Sequence, residues 1–352
     1  MPTMKRQQFR HRWIYIILGA IITLGLLTWA LRGVSPIVIW SAIQTVRWEW
    51  LALSLLTYLA SFVVRAHRWG ILLDARHKPG SFKVRLSAIF IGFAGNAILP
   101  ASAGEMVRVA VLHRFSKFPF GVIIGSIFTE RLLDAAIAFL FLFIPLLAGE
   151  LANPAGLRTL PIGWIGAALA MLCVAFLVAA NHPEAIAHLT ATLSCKVGLE
   201  RFSSRIGTAV RSILEGLAAL RYPKRGIFAI LESVLIWSLT ALTYWTGLLA
   251  FGITSPGLIG AFFMQSVVAL AIALPSSPGY VGPFEAAIRF SLSLYAVSPN
   301  TIIAYALTLR LLMFVSLTLI GYAIAAHLGL SKADFIPTKT ASLDDTSEPI
   351  SR

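Results

Sequence analysis

Two arginines stand where an apolar chain rarely carries charge. Arg131 falls well inside the apolar stretch 120–147, with Glu130 and Asp134 beside it. Arg310 falls a third of the way into the stretch 301–326, with no acidic residue within one helical turn. Glu105 and Arg108 are three residues apart, and Glu285 and Arg289 four apart, spacings that put each pair on one helical face. A guanidinium at membrane depth costs at least about 2.5 kcal/mol even on the most lenient insertion scale. Such charges either pair with one another or hold something. As structural pairs they would join Arg131 to Asp134 or Glu130, and Arg310 to Glu285. As a site, the arginines would hold an anion such as phosphate, while Glu105, Glu130, Asp134 and Glu285 balance them or carry protons. Asn96 either donates to the same cavity or caps its own helix.

Two breaks in the apolar pattern would position these groups. One reads "NAILPASAGE" and brings Pro100, Ser102 and Gly104; the other reads "ALPSSPGYVGPFEAA" and brings Pro275, Ser277, Pro278, Gly279 and Gly282. Proline lacks an amide donor and glycine tolerates turns that other residues resist, so both are turn candidates. Irregular backbone at membrane depth persists only where protein or water satisfies its polar groups, and a helix N-terminus there attracts anions. The plainer alternative is that the turns are packing devices. Both breaks fit L-P-x-S-x-G, at 99–104 and 274–279, and each is followed about thirty residues later by T-x-R-L-L, at 129–133 and 308–312. The order helix, broken hairpin, arginine-bearing helix therefore occurs twice.

Composition sets the class of protein in which these elements sit. The chain has 352 residues, 58% hydrophobic and 12% charged, with mean hydropathy +0.82. Soluble domains carry about twice that charged fraction. Residues 13–31, 48–64, 120–147, 162–180, 227–251 and 301–326 each approach or exceed the ~20 residues that cross a bilayer. Residues 86–99 and 105–114, and 258–273 and 284–297, are shorter and flank the two breaks. The expected fold is an all-α polytopic membrane protein with about six transmembrane helices plus two re-entrant broken hairpins, related by an inverted-topology repeat. Repeat A spans about 48–149 and repeat B about 227–327, within a single transmembrane domain over 1–330. Repeats of this kind put substrate sites near the midplane.

Lysine and arginine set the expected orientation. The arm 4–12, the loop 65–85, the segment 105–118 and the loop 181–226 are basic, whereas the opposite loops carry only Arg32, Arg47 and Arg158. Both termini are expected in the cytoplasm, and the net charge of +14 reads mostly as a topology signal. Spread over several short loops, it argues against nucleic-acid binding. Trp13, Trp48, Trp50, Trp69 and Trp164 fall near predicted span ends, as interfacial anchors do. The N-terminal run reads as an uncleaved first span. Cys173 in an apolar span and Cys195 in a basic loop predict no disulfide, and the seven histidines show no ligand spacing, so neither metal nor cofactor is expected. Within the linker 184–225, residues Phe202, Ile206, Val210, Ile213, Leu217 and Leu220 recur at helical spacing, which fits either a helix lying on an anionic leaflet or a connector under the bundle. The tail 331–352 is polar and expected to be disordered.

The blocks "RAHRWGILL", "GNAILPASAGEMVRVAVL", "SIFTERLLDA" and "LPSSPGYVGPFEAAI" together resemble the lysylphosphatidylglycerol synthase transmembrane-region family, also described as flippase-like, over about residues 13–328. The resemblance implies a membrane module that translocates a phospholipid. In that family a separate soluble domain makes the aminoacylated lipid; the chain ends soon after its last span, so lysyltransferase activity is not expected. Carried over by matching block, the family positions are Arg65, Arg68, Asn96, Pro100, Gly104, Glu105, Arg108, Glu130, Arg131, Asp134, Pro275, Pro278, Gly279, Gly282 and Glu285. The commoner family form has a basic residue where Ala101 or Ser102 stands, a departure that points to a different preferred lipid. The resulting expectation is a bacterial inner-membrane lipid translocator for a phospholipid, glycolipid, hopanoid-pathway or polyprenyl-phosphate lipid with an anionic or zwitterionic headgroup. An accessory subunit anchoring a lipid-modifying enzyme, and an embedded headgroup transferase with Glu105 and Glu285 as acid and base, are the alternatives. The sequence leaves the oligomeric state open.

Overall fold

A computed structural model describes residues 25–32, 35–73, 80–98, 103–116, 118–147, 182–196, 222–273 and 278–330, with Met171, Gly207 and Val210. The spans predicted at 13–31 (up to residue 24) and 162–180, the stripe 202–220 and the tail 331–352 lie essentially outside the described residues, as do Pro100, Ser102, Pro275 and Ser277.

The described residues form helices and turns, with no strand among them. The helices are α1 (Pro36–Gln44), α2 (Trp48–Leu73), α3 (Phe82–Ile98), α4 (Gly104–Ser116), α5 (Phe120–Leu147), α6 (Pro183–Lys196), α7 (Pro223–Ala250), α8 (Gly257–Ile272), α9 (Pro283–Ser293) and α10 (Pro299–His327), with a 3-10 turn at Pro278–Tyr280 before α9. Proline at the first turn starts α1, α7, α9 and α10, where the missing amide donor costs nothing. At α10 the Ser298 hydroxyl caps the helix by accepting from the Thr301 amide.

Length divides the helices into two groups. α2, α7 and α10 run 26, 28 and 29 residues and are long and apolar enough to cross a membrane. α5 is as long, 28 residues, but carries Glu130, Arg131 and Asp134 near its middle. At 1.5 Å per residue all four exceed the ~30 Å hydrocarbon core. α3, α4, α8 and α9 are shorter, with 17, 13, 16 and 11 residues, at or below the lower end of the lengths that cross a bilayer.

The short helices pack in pairs, α3 against α4 and α8 against α9. α2 lies along α7, α3 also packs on α10, and α8 also packs on α5. One apolar core joins α2, α3, α4 and the start of α5 around Phe62, Trp69, Ile89 and Leu112. A second joins α7 to α10 around Tyr244, Met264, Ile288 and Tyr305. A polar seam stitches α2 to α7: Ser54 Oγ donates to the Thr243 carbonyl at 2.8 Å, and the Thr57 and Thr243 hydroxyls lie 3.0 Å apart.

Three expectations change. The helix begun at residue 48 does not end at 64 but continues to Leu73, so Arg65, Arg68 and Trp69 belong to α2 rather than to a cytoplasmic loop. Trp69 is fully buried and donates to the Ser126 hydroxyl, so it is a core residue and not an interfacial anchor. Cys195 lies in α6, not in a loop. The burial of Arg68, Arg85 and Arg108 also weakens the charge count behind the expected orientation, because residues buried in protein do not report the side a loop faces.

Candidate functional site

The site grows from three helix faces. On α2 the buried positions Leu51, Ser54, Tyr58, Ser61, Arg68 and Leu72 lie three, four or seven residues apart, along one helical face. Arg68, two turns beyond Ser61, therefore points inward for the same reason as Ser61. On α5 the buried stripe runs Ile123, Ile127, Glu130, Asp134, Ile137 and Phe141. Arg131 lies one residue, about 100°, off that stripe, and its side chain is 45% exposed. On α4 Arg108 is buried and Glu105 stands in the first turn.

These faces form a continuous ionic network. Arg68 Nη1 donates to Asp134 Oδ1 at 2.7 Å and to the Ser233 hydroxyl at 2.8 Å, and its Nη2 lies 3.1 Å from Glu130 Oε1. Arg108 Nη2 donates to Glu130 Oε2 at 2.7 Å, with its guanidinium 3.8 Å from the centre of the Trp69 ring. Trp237 Nε1 donates to Asp134 Oδ1 at 3.2 Å, and Arg65 Nη1 lies 3.8 Å from Asp134 Oδ2. Arg131 pairs directly with Glu105 and lies 3.9 Å from Asp134. Four guanidiniums, of Arg65, Arg68, Arg108 and Arg131, thus face three carboxylates, of Glu105, Glu130 and Asp134, among the described residues. The cluster carries one excess positive charge, and only Arg131 among the four cations is substantially exposed.

A second cluster surrounds the turn before α9. Arg310 pairs with Glu285 and donates from Nη2 to the Gly279 carbonyl at 2.6 Å. Glu285 Oε2 accepts from the Gly282 amide at 2.8 Å, which closes the first turn of α9. This cluster is neutral, and Glu285 is wholly buried. Arg289, four residues beyond Glu285, instead donates to the carbonyls of Trp29 and Ala30.

The two turn regions touch. Gly279 adopts φ +71°, and a Cβ there would lie 3.3 Å from the Ala97 carbonyl, near the end of α3, and 3.0 Å from Phe314. Gly104 lets α4 approach α3 so closely that a Cβ would stand 2.0 Å from the Gly92 carbonyl and 2.4 Å from the Asn96 amide nitrogen. Asn96 is buried beside it, and its Oδ1 has no hydrogen-bond partner. Gly104, Glu105, Arg108, Glu130, Arg131, Asp134 and Asn96 thus group around the α3–α4 hairpin and α5, while Gly279, Gly282, Glu285 and Arg310, with Pro278 at its start, group around the other turn. Arg65 and Arg68, family positions by resemblance that the basic context placed in a loop, are central to the first group; the buried stripe of α2, extended by one turn, is the signal that puts them there. Trp237 and Ser233, from α7, carried no such signal.

The sequence pattern of the family described as "Lysylphosphatidylglycerol synthase TM region" matches residues 16–321. Among curated proteins, glycosyltransferase AglD of Haloferax volcanii is 27% identical over 323 residues, covering 82% of this chain and 50% of AglD, so the chain spans about half the length of that relative. UPF0104 membrane protein MJ1595 of Methanocaldococcus jannaschii is 22% identical over 284 residues, covering 78% of this chain and 83% of its own. UPF0104 membrane protein PH1989 of Pyrococcus horikoshii is 25% identical over 139 residues, covering 39% of this chain and 40% of its own. No solved structure matches the chain.

Proposed function

Since the chain belongs to the lysylphosphatidylglycerol synthase transmembrane-region family, we propose that it binds the phosphate headgroup of a membrane lipid beside the α3–α4 hairpin and moves that lipid across the bilayer. The observation that carries this reading is the cluster's surplus positive charge together with its one substantially exposed guanidinium, Arg131, in the middle of a long apolar helix. A cation so situated is stabilised by an anion, and intramembrane charges mark substrate paths. Acyl chains stay among the helices while the headgroup meets Arg131.

The inverted repeat belongs to the same proposal and has two supports. Three packing contacts of one half have counterparts in the other: α3 with α4 and α8 with α9, α3 with α10 and α8 with α5, α2 with α3 and α7 with α8. Each half also joins an acidic residue at the start of its second short helix to the arginine of the next long helix, Glu105 with Arg131 and Glu285 with Arg310. In this reading the halves rock about the α2–α7 seam, the short helices are re-entrant, and both termini lie in the cytoplasm of a bacterial inner membrane. Arg310, whose bonds all close on its own turn, would brace the hairpin there. The test is lipid movement in reconstituted vesicles. Arg131→Ala should abolish it while the protein stays folded; full movement by that variant overturns the assignment.

A second reading, a membrane partner of an enzyme that modifies lipid headgroups, is favoured by the similarity to a protein named as a glycosyltransferase. It predicts a co-purifying enzyme and no lipid movement by the chain alone.

A further inference from the structure

The two equivalent carboxylates are held very differently. Glu285 uses both oxygens, one on Arg310 and the other on the Gly282 amide, and is wholly buried. Glu105 uses one. Its Oε1 pairs with Arg131, while its Oε2 is buried without a hydrogen bond, 3.9 Å from Arg108 Nη1. Arg108 Nη1 and Nε, in a side chain 1% exposed, also lack hydrogen-bond partners. Glu105 therefore sits between two guanidiniums, at the first turn of a 13-residue helix, and satisfies only one of them. A flat carboxylate with two oxygens does not reach both. A tetrahedral oxyanion presents three or four oxygens and suits both guanidiniums together with the amides of the helix start.

We propose that Glu105 is a resident counter-ion that substrate displaces: the oxyanion of a phosphate ester takes its place on Arg131, reaches Arg108, and releases the Glu105 side chain. This inference rests on the headgroup-binding reading above and adds the exchange at Arg131. It makes Glu105 a competitor of the ligand, which sets occupancy and release. A site that held its anion with both arginines and no competitor would bind tightly and turn over slowly. The equivalent Glu285 has no such role, because neither of its oxygens is free.

The test is binding to the purified full chain in neutral detergent, by microscale thermophoresis. The probes are dihexanoyl phosphatidylglycerol and inorganic phosphate, against native protein, Glu105→Gln and Glu105→Asp. Removing a competing carboxylate whose side chain is 22% exposed should tighten binding roughly three- to tenfold for Gln. Asp, one methylene shorter and unable to reach Arg131, should shift the same way by less. Tighter binding of the phosphodiester by both variants supports the exchange and a lipid source. Tightening seen only with inorganic phosphate supports the exchange and overturns the lipid reading. Unchanged or weaker binding by both variants, with native protein still binding the phosphodiester, overturns the exchange and leaves the lipid reading standing. Should Glu105→Gln unfold, Glu105→Asp alone decides, with the same outcomes.

Discussion

Replacing Glu130 by alanine should unfold the bundle far more readily than replacing Arg131, its neighbour in sequence. Glu130 is buried and answers two buried guanidiniums, Arg108 at 2.7 Å and Arg68 at 3.1 Å. Without it Arg108 has only Glu105 at 3.9 Å and the face of Trp69, and Arg68 depends on Asp134 and Ser233. Removing one partner of a buried ion pair typically costs about 3–5 kcal/mol, because the remaining charge stays desolvated. That shifts the folding equilibrium by on the order of a hundred- to several-thousand-fold. Arg131 is half exposed and pairs with Glu105, with Asp134 farther off at 3.9 Å, so its removal should cost about 0–1 kcal/mol. The assay is unfolding in mixed micelles of mild detergent and dodecyl sulfate, followed by helical circular dichroism, for native protein, Glu130→Ala and Arg131→Ala. Equal stability of Glu130→Ala and native protein, or equal loss in both variants, would refute the division into a structural network and an exposed binding cation.

Other substitutions probe the turns and the repeat. Gly104→Ala puts a Cβ 2.0 Å from the Gly92 carbonyl, so α4 must lift off α3; overpacking of this kind costs about 1–3 kcal/mol or more, and the same unfolding assay reads it. Glu285→Gln keeps the shape and the bond from Gly282 but leaves Arg310 without its counter-charge, with an expected loss on the order of 3 kcal/mol; a stability within experimental error of native would remove the pair from the turn's support. Single cysteines at Ala101 and Tyr280, with Cys173 and Cys195 replaced, should react with impermeant thiol reagents from opposite sides of oriented vesicles; labelling of both from one side contradicts the inverted repeat.

Much of the architecture was legible because proline, glycine and length act locally. The breaks around Gly104 and Gly279 interrupt helices where they occur, and the two Thr-x-Arg-Leu-Leu blocks both fall in long helices, α5 and α10. Charge partners were less legible, because they are set by helices distant in sequence. Glu130 and Asp134 look like partners for Arg131 along one helix, yet their shortest bonds go to Arg108 and Arg68, while Arg131 reaches back to Glu105 and keeps Asp134 only at 3.9 Å. The expected pair of Arg310 with Glu285 does form, whereas the i,i+4 pair of Glu285 with Arg289 does not, and Arg289 goes to the carbonyls of Trp29 and Ala30. "RAHRW" read as a basic loop because four of its five residues are polar or amphipathic. Only the opposing carboxylates on α5 make burial of Arg68 affordable, and they lie over sixty residues away.

The most direct test of headgroup binding at Arg131 is mass spectrometry of the lipids retained through purification, comparing native protein with Arg131→Ala. One phosphate-bearing lipid class should be enriched over the host membrane on the native protein and lost from the variant. Retained lipids that mirror the host membrane in both samples would contradict a headgroup site at this arginine.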